Sequence, residues 1–160
     1  MISELVKNSR RSDRELSKAI GTSQPTASRV RVRLEKQGLI DYSAIPNLAK
    51  LGFDIIAVTF GNRDYRKHPE IDIQKAKDFA ERHPGLIFGA FGNGMGHDRI
   101  AISIHKNYSD YSKFRQEMRS EWAEIMNIKD SFIVSLKSKE VIQPLSLKHF
   151  ADQLKNKKER

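Results

Sequence analysis

The sequence predicts an α+β protein built from two modules. Helix caps and apolar residues at helical spacing follow one another over residues 1–38. From residue 53 onward, apolar strand-like runs alternate with helical stripes in the order β-α-β-β-α-β. The charge also changes near residue 50, because residues 1–50 carry ten Lys and Arg against five Asp and Glu, whereas residues 51–138 carry thirteen against twelve. A basic module therefore precedes a nearly neutral one.

Composition narrows the chemistry that this chain can carry. Its 160 residues have a formal net charge of +9 and contain no cysteine, which excludes disulfides, thiolate nucleophiles, iron–sulfur clusters and cysteine-bound zinc. No apolar run approaches the roughly 18 residues of a membrane helix, so we expect a soluble, cytoplasmic protein without a membrane partner. Basic charge in one small module is typical of a protein that binds a polyanion, most often nucleic acid, although a merely solvated basic surface accounts for it equally well.

Two helices are predicted at the start of the basic module. The apolar face of the first comprises Ile2, Leu5 and Val6. Ser12 and Glu15 have the spacing of a capping box, which places the start of a second helix there. Gly21 ends this second helix, because glycine readily adopts the left-handed conformation that closes a helix.

A third helix follows after a very short turn. Ser23 and Pro25 are typical of a helix start, and the helix is predicted to run to Gln37. Its inward positions, at helical spacing, are Ala27, Val30 and Leu34. Two helices joined by so tight a turn form a helix-turn-helix unit.

The outward face of the third helix has side chains that can recognise duplex DNA. The outward and flanking residues are Gln24, Pro25, Thr26, Ser28, Arg29, Val32 and Arg33. In a major groove, Arg reads guanine edges, Gln reads adenine, and hydroxyl groups contact bases or phosphates. Arg31 lies nearer the core edge, where a phosphate contact or an ion pair suits it better. The candidate DNA-binding residues are Ser12, Ser23, Gln24, Thr26, Ser28, Arg29, Arg31 and Arg33. The alternative is an amphipathic helix whose arginines only keep it soluble.

Residues 39–45 are β-prone and predict a wing strand, so the first module is a winged helix-turn-helix over residues 1–46, followed by a linker at 47–52. The stretch from Arg10 to Gly52 resembles the DNA-binding domain of the Lrp/AsnC regulators. The resemblance rests on SDRELS at 12–17, SRVRVRLE at 28–35 and GLI at 38–40. It implies a sequence-specific, double-stranded DNA-binding transcription regulator. Phosphate contacts are expected from Lys7, Arg10, Arg11, Arg14 and Arg31.

The second module is predicted over residues 53–138. Strands are expected at 53–60, 86–91, 100–104 and 132–136, and helical stripes at 71–82 and 111–125. This order is that of a ferredoxin-like domain, in which two helices cover one face of a four-stranded antiparallel sheet. The other face must still hide Ile and Phe side chains, so we expect it to pair with a second copy of the chain. The protein is therefore predicted to be a homodimer or a larger homo-oligomer.

The same module order extends the Lrp/AsnC resemblance over residues 1–138. In that family the second module dimerises, often assembles further, and binds small effectors such as amino acids. The place of the family's effector loop is held here by Asn93, Gly94, Met95, Gly96, His97 and Asp98. The alternative is a plain hairpin loop whose glycines supply positive φ angles. A phosphate cradle is disfavoured, because no Gly-Lys-Ser/Thr ending is present and a strand follows instead of a helix.

No catalytic or metal-binding motif is apparent, so we expect a protein without enzymatic activity, cofactor or metal site. His68, His83, His97 and His105 are predicted to be surface residues. A rival hypothesis comes from the siroheme decarboxylases, which look like Lrp/AsnC proteins and act on the carboxylates of a tetrapyrrole macrocycle. His97 or Arg99 would then serve in that chemistry. The arginine-bearing third helix argues against this reading, because a decarboxylase has no need of it.

The last segment, residues 139–160, is a basic extension with six Lys and Arg against three Asp and Glu. Ser146 is predicted to begin a short final helix. The helix is expected to pack on a neighbouring subunit, to cover the effector cleft, or to be a simple terminal helix.

Overall fold

A computed structural model describes residues 1–66 and 73–155 of the chain. These residues form two compact units. The N-terminal unit comprises Met1–Ile45 and the described part of Gln143–Arg160, and the sheet unit comprises Pro46–Ile142. His68, a predicted surface residue, lies outside the described residues.

Three α-helices form the body of the N-terminal unit: α1 (Ile2–Lys7), α2 (Asp13–Ile20) and α3 (Gln24–Lys36). The predicted capping box at the start of α2 is confirmed, since the Ser12 side chain accepts from the Glu15 N–H and the Glu15 carboxylate accepts from the Ser12 N–H. Gly21 ends α2 with a φ of 67°, in the left-handed region. The buried core of the unit is made by Leu5, Leu16 and Ala27.

The predicted wing strand is wrong. Residues 39–45 form no strand, and Leu39 and Ile45 are 59% and 56% exposed. A strand is stable only where its backbone groups pair with a neighbour. The segment is attached to α3 in another way, because the Tyr42 hydroxyl donates to Glu35 Oε1 over 2.8 Å. The β-prone composition of the segment thus did not decide its conformation.

The C-terminal extension forms a 3₁₀ helix, Leu147–Leu154, which packs on α1 of the same chain. Ser146 caps it, as predicted, by accepting from the Lys148 N–H. Ala151 is only 1% exposed, and Lys7 Nζ lies 3.1 Å from Asp152 Oδ1. The two ends of the chain are therefore parts of one unit.

The sheet unit has the predicted element order. Its elements are β1 (Ile55–Arg63), α4 (Ile73–Arg82), β2 (Leu86–Gly94), β3 (His97–His105), α5 (Tyr108–Trp122) and β4 (Met126–Ser135). The strands are antiparallel and lie in the order β2-β3-β1-β4. This is the ferredoxin-like arrangement.

All four strands are longer than the sequence predicts. β4 begins at Met126, because its first residues pair with the end of β1 beyond an irregularity between Thr59 and Gly61. β2 continues through most of the glycine-rich segment, so that Gly94 pairs with His97. Only Met95 and Gly96 are left as a turn.

The helices cover one face of the sheet. The core on that side comprises Phe79, Phe114, Met118, Trp122 and Ile128, with Ile55, Ala57 and Tyr111 beside it. Successive strand residues point to opposite faces, so the other face carries the intervening positions. Six of the side chains on this other face are apolar and half-buried, and along β1 and β3 they alternate with residues that face the helices. They are Ile56, Val58, Phe60, Ile100, Ile102 and Ile104.

Candidate nucleic-acid interface and effector hairpin

The turn between α2 and α3 holds the third helix in place. Thr22 N–H donates to the Ser17 carbonyl oxygen over 2.9 Å, and Ser23 is the N-cap of α3. Ala27 and Leu34 are buried, so one side of α3 is committed to the core. With 13 residues, α3 is about 20 Å long, which suits insertion into a major groove.

The outer side of α3 is exposed as predicted. Gln24, Arg29, Val32 and Arg33 all lie in solvent. The Arg29 Nε–H donates to the Pro25 carbonyl oxygen over 3.3 Å, and its terminal nitrogens have no hydrogen-bond partner among the described residues. Among the described residues, neither Arg29 nor Arg33 forms an ion pair. Two cationic side chains one helical turn apart are thus available on one surface.

The candidate hydroxyl groups already have partners in the chain. The Ser23 and Thr26 hydroxyls lie 2.9 Å apart at the start of α3. The Ser12 hydroxyl donates to Glu15 Oε2 over 2.8 Å within the capping box. Ser28 is half-buried on the flank of α3. These residues shape the helix ends, and hydroxyl oxygens retain acceptor capacity for a further contact.

Arg31 forms an ion pair, one of the two roles that its position suggested. Its Nε lies 3.1 Å from Asp13 Oδ1, and its Nη2 donates to the Arg11 carbonyl oxygen. Its side chain is 21% exposed. The structure therefore uses Arg31 to join α3 to the beginning of α2.

The expected phosphate-binding cations fall into two groups. Arg11 and Lys7 both pair with the Glu4 carboxylate, and Lys7 also pairs with Asp152. The hydrogen bond from Lys7 is the main reason that the pKa of Glu4 lies below its ordinary value, against the opposing effect of burial. Arg10 and Arg14 are exposed and form no ion pair with a described residue. Charge-neutralised cations attract phosphate less than unpaired ones do.

The effector-loop candidates lie on a tight β-hairpin. Met95 and Gly96 have φ angles of 52° and 73°, the signs required at both central positions of a type I′ turn. Met95 is 86% exposed. Of the two glycines among the effector-loop candidates, Gly94 and Gly96, only Gly96 has a positive φ. The loop prediction is therefore corrected: Asn93 and Gly94 belong to β2, and the last two candidates belong to β3.

Asp98 is the best-anchored residue of the hairpin. The Arg63 N–H donates to both of its carboxylate oxygens over 3.1 Å, and the Arg99 Nε–H donates over 3.2 Å. Burial alone raises the pKa of Asp98, but the Tyr65 hydroxyl, the Arg63 N–H and the Arg99 charge outweigh it and leave this pKa below its ordinary value. Asp98 is thus an ionised internal partner.

Asn62 at the end of β1 also binds the hairpin. Its amide nitrogen donates to the Gly96 carbonyl oxygen over 2.8 Å, and its amide oxygen accepts from the Asp98 N–H over 3.2 Å. Sequence reasoning missed Asn62 and Arg63, because no local spacing connects them to a hairpin more than 30 residues away. Only the β1–β3 pairing brings them together.

His97 stacks on Phe60 with ring centroids 5.4 Å apart. It shares no hydrogen bond with Asp98 among the described residues, as expected from their alternating directions along β3. Arg99 is held by Asp98 and lies over the Phe91 ring at 5.0 Å. These contacts give the tetrapyrrole hypothesis no support.

Two other histidines depart from the surface prediction. His105 is only 3% exposed; its Nε2 lies 2.8 Å from the Ser103 hydroxyl, and its ring contacts Tyr111 and Phe114. His83 is half-buried and stacks on Phe79 at 4.0 Å. Both face the helix-covered side of the sheet unit, where aromatic rings pack.

Residues 1–66 and 73–155 contain neither a cluster of three potential metal ligands nor a helix of the length and apolarity needed to cross a membrane.

Comparison with protein-family models gives no match to this chain, and no curated protein matches its sequence. Solved structures do match it over nearly its whole length. A transcriptional regulator from Neisseria meningitidis, in complex with L-Met, is 16% identical, with a TM-score of 0.70 and coverage of 93% of this chain and 94% of that one.

Two further neighbours are regulators of known family. An AsnC family transcriptional regulator from Agrobacterium tumefaciens is 18% identical, with a TM-score of 0.67 and coverage of 92% and 94%. AsnC from E. coli is 15% identical, with a TM-score of 0.66 and coverage of 90% and 92%. The chain therefore shares the fold of Lrp/AsnC regulators, a helix-turn-helix followed by a ferredoxin-like domain.

Proposed function

We propose that the protein is a sequence-specific, double-stranded DNA-binding transcription regulator of Lrp/AsnC type. The observation that carries the proposal is the exposed face of α3, where Arg29 and Arg33 project one turn apart without a carboxylate partner among the described residues. The opposite side of the same helix is buried on α1 and α2. A rigid helix with unpaired guanidinium groups on its open side is what major-groove recognition requires.

Different side chains of the N-terminal unit make different kinds of contact with the DNA. Arg29, Arg33 and Gln24 are proposed to contact base edges, while Arg10 and Arg14 supply phosphate contacts; all five side chains are exposed. The hydroxyls of Ser12, Ser23 and Thr26 at the helix starts, and of Ser28 on the flank of α3, contribute contacts to DNA phosphates or bases. Arg31 acts indirectly, because it fixes the angle between α2 and α3 through Asp13.

The DNA-binding form is proposed to be a homodimer or a larger assembly. The open face of the sheet presents apolar side chains from neighbouring strands, including Val58, Phe60 and Ile102. Pairing two such faces removes them from water and presents two copies of α3 to successive turns of a duplex. Two half-sites give the discrimination that a single helix lacks.

The proposal also includes control of the protein by a small effector. No residue of the hairpin from Asn93 to Asp98 lines the apolar cavity between the helices and the sheet. We infer that a small ligand, such as an amino acid, would bind where two hairpins meet between copies. The Asp98 carboxylate already accepts from the Arg63 N–H, so the side chains proposed to contact the ligand are Asn93, Met95 and His97.

Selection of duplexes from a random pool at a stated salt concentration tests the proposal, because affinity without the salt concentration cannot be interpreted. Replacing both Arg29 and Arg33 with Ala should reduce the affinity ratio between the selected and a random duplex by about 30-fold or more, at roughly 1–3 kcal/mol for each arginine. The matched control is Lys113→Ala with Arg119→Ala, which removes the same charge from the exposed side of α5.

The control variant should keep the full affinity ratio between the selected duplex and a random duplex. If the pool yields no preferred sequence, or if the α3 variant still discriminates as well as the control, the assignment of α3 as the recognition helix is wrong.

A further inference from the structure

A cavity of about 470 Å³ lies in the sheet unit between α4, α5 and the β2–β3 side of the sheet. Its floor contains Trp122, Met118 and Phe79, which are side chains of the main core. Ile73 and Lys77, one turn apart on α4, also line it and are both exposed, so the cavity opens along that side of α4. Volumes of about 300–1,000 Å³ with mostly apolar walls are typical of small-molecule sites.

The cavity exists because small residues face each other across it. Gly89 and Ala101 are paired on the sheet side, and Ala76 and Ala80 occupy the facing positions of α4. A Cβ atom at Gly89 would meet no atom within 4 Å. Larger side chains at these positions would close the gap, as in an ordinary ferredoxin-like core.

The charge of the lining has one sign. Of the residues that line the cavity, the ionisable ones are Lys77 and Arg99, and both are cationic. Lys77 forms no ion pair with a described residue. The Arg99 side chain is 10% exposed, and its hydrogen bond to Asp98 uses Nε, so its terminal nitrogens carry four further N–H donors. An apolar cavity with two cationic groups in its lining suits an anion with an apolar body.

We propose that this cavity binds a small molecule with an apolar chain or ring and a single carboxylate. The apolar part lies against Trp122 and Phe79, and the carboxylate is held by Lys77 and Arg99. The site lies within one protomer. It is separate from the proposed effector position on the hairpin, and it does not depend on the proposed DNA binding.

The position of Trp122 makes the proposal directly measurable. It is the single tryptophan of the protein, and it lines the cavity. Titration of the full chain with octanoate should change the tryptophan fluorescence saturably. Octanol has the same chain without the charge, and octylamine has the opposite charge. Octanoate should bind about threefold to fivefold more tightly than octanol, the range of a partly exposed ion pair, and octylamine more weakly than either.

Two pairs of variants locate the site. Gly89→Leu fills the cavity and should abolish the saturable change, whereas Gly92→Leu, on the same strand with open space at its Cβ but outside the lining, should keep it. Lys77→Gln should reduce the preference for octanoate over octanol, because Arg99 alone then holds the carboxylate, whereas Lys113→Gln on α5 should leave that preference unchanged. Circular dichroism of each variant establishes that the fold is retained.

The absence of a saturable change with octanoate, or an unchanged titration in a folded Gly89→Leu variant, would overturn the site. Equal binding of octanoate and octylamine, or an unaffected Lys77→Gln variant, would overturn its preference for an anion. None of these readouts involves DNA, so they remain distinct from a failure of the regulator proposal.

Discussion

Arg31 Nε lies 3.1 Å from Asp13 Oδ1, and this ion pair joins α3 to the first turn of α2. Both side chains are partly buried, at 21% and 27% exposure. The neighbouring arginines on the outer side of α3 have no such partner among the described residues. One helix therefore uses its arginines in two ways: one guanidinium supports the fold, and two remain available for a ligand.

Replacing Arg31 with Met should lower the free energy of unfolding of the N-terminal unit by about 1 kcal/mol, because the pair with Asp13 is lost. Urea unfolding followed by circular dichroism measures it. Arg29→Met is the matched control and should change stability by less than about 0.5 kcal/mol. If Arg31 were chiefly a phosphate contact, its replacement would leave stability intact and weaken binding to all duplexes equally.

Gly21→Ala should destabilise the helix-turn-helix by about 1 kcal/mol, because Gly21 has a φ of 67° and an L side chain is strained there. Crowding is not the cause, since a Cβ at this position would meet no atom within 4 Å. Gly92→Ala, at a β2 position without a positive φ and with equal space, should cost far less in the same unfolding experiment. Equal effects of the two substitutions would contradict the backbone explanation.

Ala151→Asp should release the C-terminal 3₁₀ helix from α1. Ala151 is 1% exposed, so the substitution buries a carboxylate at a cost of roughly 2 kcal/mol or more. Hydrogen exchange of the α1 amides should accelerate as a result. Gln153→Asp adds the same charge at an exposed position of the same helix and should leave exchange nearly unchanged. Similar protection in both variants would show that the extension does not stabilise α1.

His105 should make the sheet unit less stable in mild acid. Burial lowers the pKa of His105 below its ordinary value of 6.5, and the opposing attraction of Asp110, 3.8 Å away, is smaller. The unfolded chain therefore binds a proton more readily than the folded one, so stability is full above about pH 6.5 and falls as the pH drops through and below that value. Denaturant unfolding between pH 5 and 8 measures this slope.

The pH slope should become shallower in His105→Gln, which keeps a polar partner for Ser103 but cannot be protonated. His149→Gln removes an exposed histidine and should leave the slope as it is in the unmodified chain. A slope that survives in His105→Gln would assign the pH dependence to another group.

Val58→Glu should dissociate the proposed dimer. Val58 lies on the open face of the sheet, paired with Ile102 on one side and Phe132 on the other. A carboxylate there is tolerated in a free protomer but is costly when two such faces meet. Sedimentation velocity should show the change in mass, with Lys113→Glu on α5 as the control that retains it. A dimer that persists in a folded Val58→Glu protein would place the interface elsewhere.

Local signals predicted most of the fold correctly. The capping box at Ser12, the glycine end of α2 and the two-fold alternation along β3 each depend on residues within a few positions of one another. Local composition gave wrong predictions where the conformation of a segment depends on whether a neighbouring strand pairs with it. Residues 39–45 have strand composition but no strand, and the glycine-rich residues 92–94 form a strand because β3 pairs with β2.

The amino-acid sequence alone determined the order of the elements, the helix-turn-helix and the outward position of Arg29 and Arg33, because caps, turns and amphipathic spacing act over single helical turns. Only the tertiary structure decided which charged groups are already engaged. Arg31 pairs with Asp13, Arg63 presents its N–H to Asp98, and Lys7 meets Asp152 from the other end of the chain. These pairs depend on how distant segments pack together, and no spacing in the sequence encodes that directly.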